Sequence, residues 1–391
     1  MAHKFERCPK ITPYWHYTLP KKLNKLISTG TVKMIIHIFE NIPHHYHNFI
    51  NFFVNYCGLE FKHKIYIQSC GISDQDAINK LKIEQLNCTT VVYVNHRQLI
   101  KLMKQESNSS KFIFHSLLNR RMWLKLLLSD FPKRSSWISW GADIYQYQSN
   151  NKNIKQAIAK MIHSITSKRM QYVKSLNPGD GELIRQLFGC NQIETLPYPL
   201  VGVEKPDSFT STKHKKLTFL LGNSAAESNN HFELFDTIKH LTSEDILLLM
   251  PLNYAGKEGY IDTVIERGKD LFGDKFQPIL EMLSKESYDK LLADVDITVF
   301  AHDRQQGLYV AYYMMLHGKK LFLKSTTTTY ENFKNYNFIV DSLETLSQKP
   351  YHQLKQNDSS VQLTNQRILM ENFTESALAI KWHEFFKNLS N

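Results

Sequence analysis

The segment AHDRQQGLYV, residues 301–310, follows the apolar run VDITVF and puts Arg304, Gln305, Gln306 and Gly307 where a buried strand gives way to a helix. Packing alone does not ask for these residue types there. An arginine makes bidentate contacts to phosphate, and a glycine lets the backbone approach a ligand closely. The two amides add hydrogen-bonding groups, and a helix start points its positive end at the same spot. The plain alternative is a surface turn with a helix cap. A second segment, LLGNSAAESNNHFEL at 220–234, repeats the layout: an apolar strand, then Gly222, Asn223, Ser224, Glu227 and Asn230 ahead of a helix. Backbone N–H groups and short polar side chains in such a loop suit an anion. The alternative is a βα turn capped by Ser228 or Asn229. The loop matches neither GxGxxG nor the Walker A pattern. Both loops follow strands of the same half of the chain, so they are expected on one edge of one sheet.

The first half holds a counterpart, NIPHHYHNF at 41–49, with His44, His45 and His47 at a helix start. Histidine is the natural general base near neutral pH. Adjacent histidines point in different directions, so one or two of them can face a cleft. Asp143, in SWGADIY at 139–145, ends another strand and reads either as a base or as a cap on the next helix. The histidine spacing is poor for zinc and there is no HExxH. The Asp294-Val295-Asp296 sequence runs straight into a strand and reads as a helix-to-strand junction rather than a metal site. No metal and no cofactor are expected.

These loops need elements to hold them. Strands are expected at 32–39, 64–69, 89–95, 111–116 and 136–141, alternating with helices at 44–57, from 73, at 97–105 and at 117–129. A long basic helix follows, its Ile154, Ile158, Met161, Ile162 and Ile165 spaced four, three, one and three apart. The Pro-, Ser-, Thr- and Lys-rich stretch 198–216 reads as a linker. Alternation then resumes with strands at 217–224, 245–252, 296–300 and 319–324 and helices at 229–241, 259–273, 287–295 and 306–318, and a last helix at 375–389. Such βα alternation implies parallel sheets with helices on both faces. The domains expected are a basic extension at 1–30, a first α/β domain at 31–200, a second at 201–372, and a terminal helix at 373–391 that packs back on the first. Strand carboxyl ends then face a cleft between the domains.

With 391 residues, 42% of them hydrophobic, two cores are the default. No stretch approaches the roughly 18–20 apolar residues of a membrane span, and the first thirty residues contain no apolar h-region. The five cysteines form no CxxC pair, which fits reduced thiols. Net charge is +11, and no acidic residue occurs from Ile144 to Leu176. This basic amphipathic stretch, with NRRMWLKLLLSDFPKR at 119–134, suits an anionic lipid surface.

Taken in order, NIPHH (41–45), WGADIY (140–145), GNS with SNNH (222–231), PLNY with GYI (251–261) and HDRQQG (302–307) resemble glycosyltransferase family 56, which includes the bacterial Fuc4NAc transferase of enterobacterial common antigen synthesis. The likeness covers roughly residues 33–325. Two local departures are His302-Asp303, where the family is apolar or aromatic, and PLNYAGKEGY (251–260), which differs from the family's Gly-Tyr-Pro version. The resemblance implies a GT-B fold, two Rossmann-like domains facing across a cleft. A nucleotide diphosphate sugar, dTDP-linked by preference, would sit on the second domain, held by Gly222, Asn223, Ser224, Glu227, Asn230, Tyr254 and the 304–307 loop. The acceptor would be a saccharide on a polyprenyl diphosphate at the cytoplasmic face of the bacterial inner membrane, met peripherally by the first domain. Arg304 would stabilise the leaving diphosphate without a metal. The base for an inverting displacement would be His45, His44 or Asp143, with Glu227 a further contender. The competing reading is a non-catalytic binder of nucleic acid or anionic surfaces. It rests on charge alone and lacks an RRM, KH or zinc-finger signature. A Rossmann-type epimerase is disfavoured by the missing GxGxxG.

Overall fold

In a computed structural model, the described residues are 33–57, 61–69, 88–148, 154–200, 202–203, 205–206, 209 and 216–390, with the side chains of 43–45, 54 and 88 excepted. The expected basic extension at 1–30 and the helix expected from Ser73 lie outside them.

The first sheet has seven strands: β1 (Met34–Phe39), β2 (Lys62–Gln68), β3 (Cys88–Tyr93), β4 (Lys111–His115), β5 (Ser135–Ile138), β6 (Tyr172–Ser175) and β7 (Ile193–Thr195). Their order is β3-β2-β1-β4-β5-β6-β7, all parallel. The second sheet comprises β8 (Leu217–Leu221), β9 (Ile246–Pro251), β10 (Phe276–Ile279), β11 (Ile297–Phe300), β12 (Lys320–Leu323) and β13 (Asp341–Ser342), in the order β10-β9-β8-β11-β12-β13, again all parallel. Helices cover both faces of a parallel sheet, so its strands are apolar throughout. β8 and β11 are buried at every position. Each sheet reverses its winding once, between β1 and β4 and between β8 and β11. Crevices at strand carboxyl ends open at such points.

The expected run of basic helix is divided. A single turn, Ala142–Tyr145, and the helix Ile154–Lys168 are followed by β6, which pairs with β5 and β7. Helical spacing held over 154–165, but Tyr172–Ser175 is claimed by the sheet ladder. The helix Ile154–Lys168 is also inside out. It buries His163, Thr166 and Ser167 and leaves Ile154, Ile158, Met161 and Ile165 exposed. Strands β7, β10 and β13 and the helix Pro178–Phe188 had not been read from the sequence.

The chain passes between the two sheets twice, and the passages touch: Leu200 N–H donates to Phe373 O at 2.8 Å, and Leu200 bridges Thr374. Beyond this, the helix Glu375–Ser390 packs on β1 and the helix Pro43–Tyr56. It buries Leu378, Trp382, Phe386 and Leu389 completely in the first-sheet core. The Trp382 indole donates to Pro197 O at 3.0 Å.

That core encloses a row of histidines. His63, His37 and His115, on neighbouring strands β2, β1 and β4, join ring to ring at 3.0 and 2.9 Å, and His115 Nδ1 meets the Tyr198 hydroxyl. Burial holds His37 down to about 3. Burial, with repulsion from His37, places His63 and His115 well below the usual imidazole range. A neutral imidazole has one donor and one acceptor nitrogen, so the two ring-to-ring bonds and the bond to Tyr198 form with every ring neutral, and only His63 Nε2, at the end of the row, has no partner among the described residues.

Candidate functional site

The loops after β8 and β11 lie side by side because those strands are neighbours. Gly222, at φ +71°, turns the chain out of β8, and its N–H donates to Val299 O on β11 at 3.0 Å. A Cβ there would lie 2.8 Å from Asn229 Oδ1, so glycine is required by both backbone and neighbour. Asn229, fully buried, ties the loops together. Its Oδ1 accepts from Asn223 N–H at 2.8 Å and His302 Nε2 at 3.0 Å, and its amide donates to Ser224 Oγ and Ala226 O. Asn230 takes the left-handed conformation and donates to Ala301 O and Asp303 Oδ1. Ser228 Oγ donates to Gln306 Oε1 at 3.1 Å.

These bonds hold two groups ready for a ligand. Gln306 Nε2 is buried with no partner among the described residues. Arg304 is half-buried and makes no hydrogen bond or ion pair among the described residues. Gly307 follows at φ +69° as the N-cap of the helix Leu308–Leu316, which starts beside Arg304. Arg304, two backbone turns and a helix N-terminus thus converge at the carboxyl ends of adjacent strands, an arrangement suited to an anion.

The other expected donor-side residues are placed as follows. Tyr254 OH accepts from Asn223 Nδ2 at 3.1 Å, with its ring half-exposed. Glu227 is exposed and pairs with Lys257 at 2.9 Å. Gln305 faces the other domain, where its Oε1 accepts from Asn177. His302 is buried against Phe300 and held neutral at about 3 by burial, and His231 likewise at about 4. Both rings are already engaged: His302 Nε2 braces Asn229 Oδ1, and His231 bonds to the Tyr260 hydroxyl and Ser224 O.

On the first domain, His44 and His45 sit in the first turn of Pro43–Tyr56, with side chains outside the described residues. His47 packs on Tyr46, ring centroids 4.7 Å apart. Asp143 requires a correction. It is wholly buried and accepts from Trp137 Nε1 at 2.8 Å, Ser139 Oγ at 2.8 Å, Trp140 N at 3.1 Å and Leu117 N at 3.3 Å. With four donors around it and no opening to solvent, it knots the loops after β4 and β5 and is not available as a base. Asp143→Ala is expected to strand those donors at about 1–3 kcal/mol apiece, so a denaturation midpoint should fall sharply; an unchanged midpoint counts against the knot.

Sequence reading offered Asn229 only as a helix cap, not as the tie between the loops, and missed a clasp between the domains. Tyr145 OH donates to Asp180 Oδ1 at 2.6 Å and lies 2.8 Å from Thr328 Oγ1, which itself donates to Asp180 at 3.2 Å. Burial raises Asp180 to about 6. The Asn177-Pro178-Gly179-Asp180-Gly181 run after β6 was the available signal, since it repeats the strand, polar loop, helix layout of the other sites.

Residues 32–362 match the family described as 4-alpha-L-fucosyltransferase, glycosyl transferase group 56. Among solved structures, the chain is similar to a glycosyltransferase from Rickettsia africae (11% identity, 92% of this chain and 99% of that one, TM-score 0.65). It is also similar to HepE of Anabaena in complex with UDP and glucose (9%, 91% and 100%, TM-score 0.65). A third is the sucrose-phosphate synthase of Thermosynechococcus elongatus (10%, 91% and 99%, TM-score 0.67). At such identities the likeness shows the fold, which is GT-B: two Rossmann-like α/β domains.

Proposed function

Because the chain belongs to glycosyl transferase group 56 and is a glycosyltransferase, we propose that it moves a deoxy or acetamido sugar, Fuc4NAc or a close relative, from a dTDP-sugar to a saccharide carried on a polyprenyl diphosphate. The observation that carries this reading is the unpaired Arg304 beside the interlocked 222–230 and 301–307 loops. The donor diphosphate would lie against Arg304, Gln306 Nε2 and the start of Leu308–Leu316. As the anomeric bond breaks, the diphosphate gains negative charge, and preorganised donors stabilise that charge more in the transition state than in the ground state. The reaction would invert the anomeric centre, without a metal, with His45 or His44 taking the acceptor proton; Glu227 is a second contender.

Acceptors of this class sit in a bilayer. No helix among the described residues is long and apolar enough to cross one. The inside-out helix Ile154–Lys168 packs its buried His163 on Trp123, ring centroids 3.4 Å apart, and beside it Leu124 and Leu128 are also exposed. This outward apolar stripe, flanked by Lys125, Lys155 and Lys168, supports peripheral attachment to the cytoplasmic face of an anionic inner membrane. Replacing Ile154 and Ile158 with Asp should reduce co-sedimentation with anionic vesicles at least tenfold, since each buried isoleucine is worth about 1.5–3 kcal/mol; equal sedimentation would remove the stripe from the membrane.

The transferase reading is tested by thermal shift with dTDP, UDP, GDP, CMP and single-stranded DNA, with and without EDTA. Ligand at about 100 times its Kd stabilises by about 2.7 kcal/mol. A shift with one nucleoside diphosphate that survives EDTA supports the reading. A shift with DNA alone overturns it.

A further inference from the structure

A second polar cavity lies away from the donor loops, at the carboxyl edge of the first sheet where its winding reverses. It is open, about 670 Å³, and lined by Gln68 from β2, Asn95, His96 and Arg97 after β3, and Asn119, Arg120 and Arg121 after β4. Among the described residues no acidic side chain lines it. None of its three arginines is in an ion pair with a described carboxylate. Their charge is felt locally: burial and then Arg121 and Arg97 hold His96 below its ordinary value.

The wall is built from two helix starts. Asn95 caps His96–Gln105, and Asn119 caps Arg120–Leu127, each side chain accepting from two backbone N–H groups. Neither helix has an acid in its first turn. Instead the sequence places His96 and Arg97, and Arg120 and Arg121, at the positive ends. That choice works against both helix dipoles, and such local conflicts mark functional positions. A multiply charged anion between the two starts removes the conflict.

An independent observation lies beneath. Ser116, 2% exposed, has a left-handed backbone at φ +69°, and its Oγ has no partner among the described residues. It lines an inner recess that shares Gln68, His96 and Asn119 with the cavity. Glu40, in the same recess, is already engaged by the N–H groups of Leu118 and Asn119. Ser116 therefore offers a buried hydroxyl, without a partner among the described residues, in the recess that adjoins the basic cavity. The helix that carries Arg120 and Arg121 at its start also exposes Leu124 and Leu128 further along, so the cavity adjoins the apolar stripe.

We propose that this cavity is a diphosphate site of the first domain, and that it takes the diphosphate of the lipid-linked acceptor. The proposal rests on the transferase reading above and adds to it the residues that hold the acceptor. The phosphate pair would lie between Arg97 and Arg121, within reach of both helix starts, with the prenyl chain leaving along the apolar stripe.

The test measures binding of farnesyl diphosphate, farnesyl monophosphate and inorganic pyrophosphate to the full chain by calorimetry, with dTDP and UDP titrated in parallel. Arg97→Ala combined with Arg121→Ala should weaken farnesyl diphosphate at least tenfold. Nucleotide binding should stay within twofold, and Lys104→Ala, at the far end of the same helix, should leave every ligand unchanged. Competition by inorganic pyrophosphate supports the diphosphate assignment. Farnesyl monophosphate binding as tightly as the diphosphate overturns it. A double variant that keeps its farnesyl diphosphate affinity, or loses only attachment to phosphatidylserine vesicles, also overturns it, because the arginines would then serve a headgroup patch. If neither nucleotide binds the native chain while farnesyl diphosphate binds and the double variant loses it, the donor reading fails and the diphosphate site stands.

Discussion

Arg304→Ala is expected to lower kcat by about 10²–10³ while leaving the protein folded, the usual loss when one preorganised oxyanion donor is removed. The folded state should hardly notice, because the guanidinium bonds to no described residue and its removal orphans nothing. The loop keeps its shape through Asn229, Asn230 and Ser228, which bond to His302, Asp303 and Gln306 on either side of it. The variant should therefore melt within a degree or two of the native protein. Arg304→Lys should recover only part of the rate, since an ammonium keeps the charge but not the planar two-pronged donor. Turnover near the native rate in Arg304→Ala would take the residue out of the site. A large fall in melting temperature would make it structural instead.

Acid should unfold the protein well above the usual range for carboxylate protonation. His37, His63 and His115 are neutral in the fold because burial opposes their charge. In the unfolded chain they return to about 6.5. Below that value the unfolded state binds more protons than the native state, so stability is complete above about pH 6.5 and drains as the pH falls toward 3. Each such histidine removes about 1.4 kcal/mol per pH unit once the unfolded form is protonated. The row alone then costs about 4 kcal/mol per unit, against a typical total of 5–15 kcal/mol. His163 and His302 act in the same direction. Denaturant midpoints should be level from pH 8 to 7 and collapse between 6 and 5. A level midpoint through pH 5 would mean that the row tolerates a charged ring.

The long strands were legible because burial on both faces writes them as unbroken apolar runs. MIIHIF and ITVF could be little else. Strands β7 and β13, three and two residues long, carry too few positions for any pattern. The two polar loops were legible as loops, and as neighbours, from the strands that precede them. Their hub was not: Asn229 matters because His302 and Asn223 reach it, and one of these lies 73 residues away. Asp143 was left between two roles by its place after a strand. Only the packing of Trp137 and Ser139 decides that it is a structural acceptor. The histidine row had no signature at all, since separations of 26 and 78 residues become contacts only through the strand order β2-β1-β4.

The helix Glu375–Ser390 gives this architecture a consequence for synthesis. The ribosome completes the first sheet at Thr195, yet Trp382, Phe386 and Leu389, which close its core beside Phe49 and Phe53, are translated 187–194 residues later. At about 5–20 residues per second, the nascent first domain waits roughly 10–40 seconds with an apolar face uncovered. The second sheet, drawn from the continuous stretch 217–342, can close in the meantime. The core begun first is thus the one completed last, by the final helix the ribosome makes.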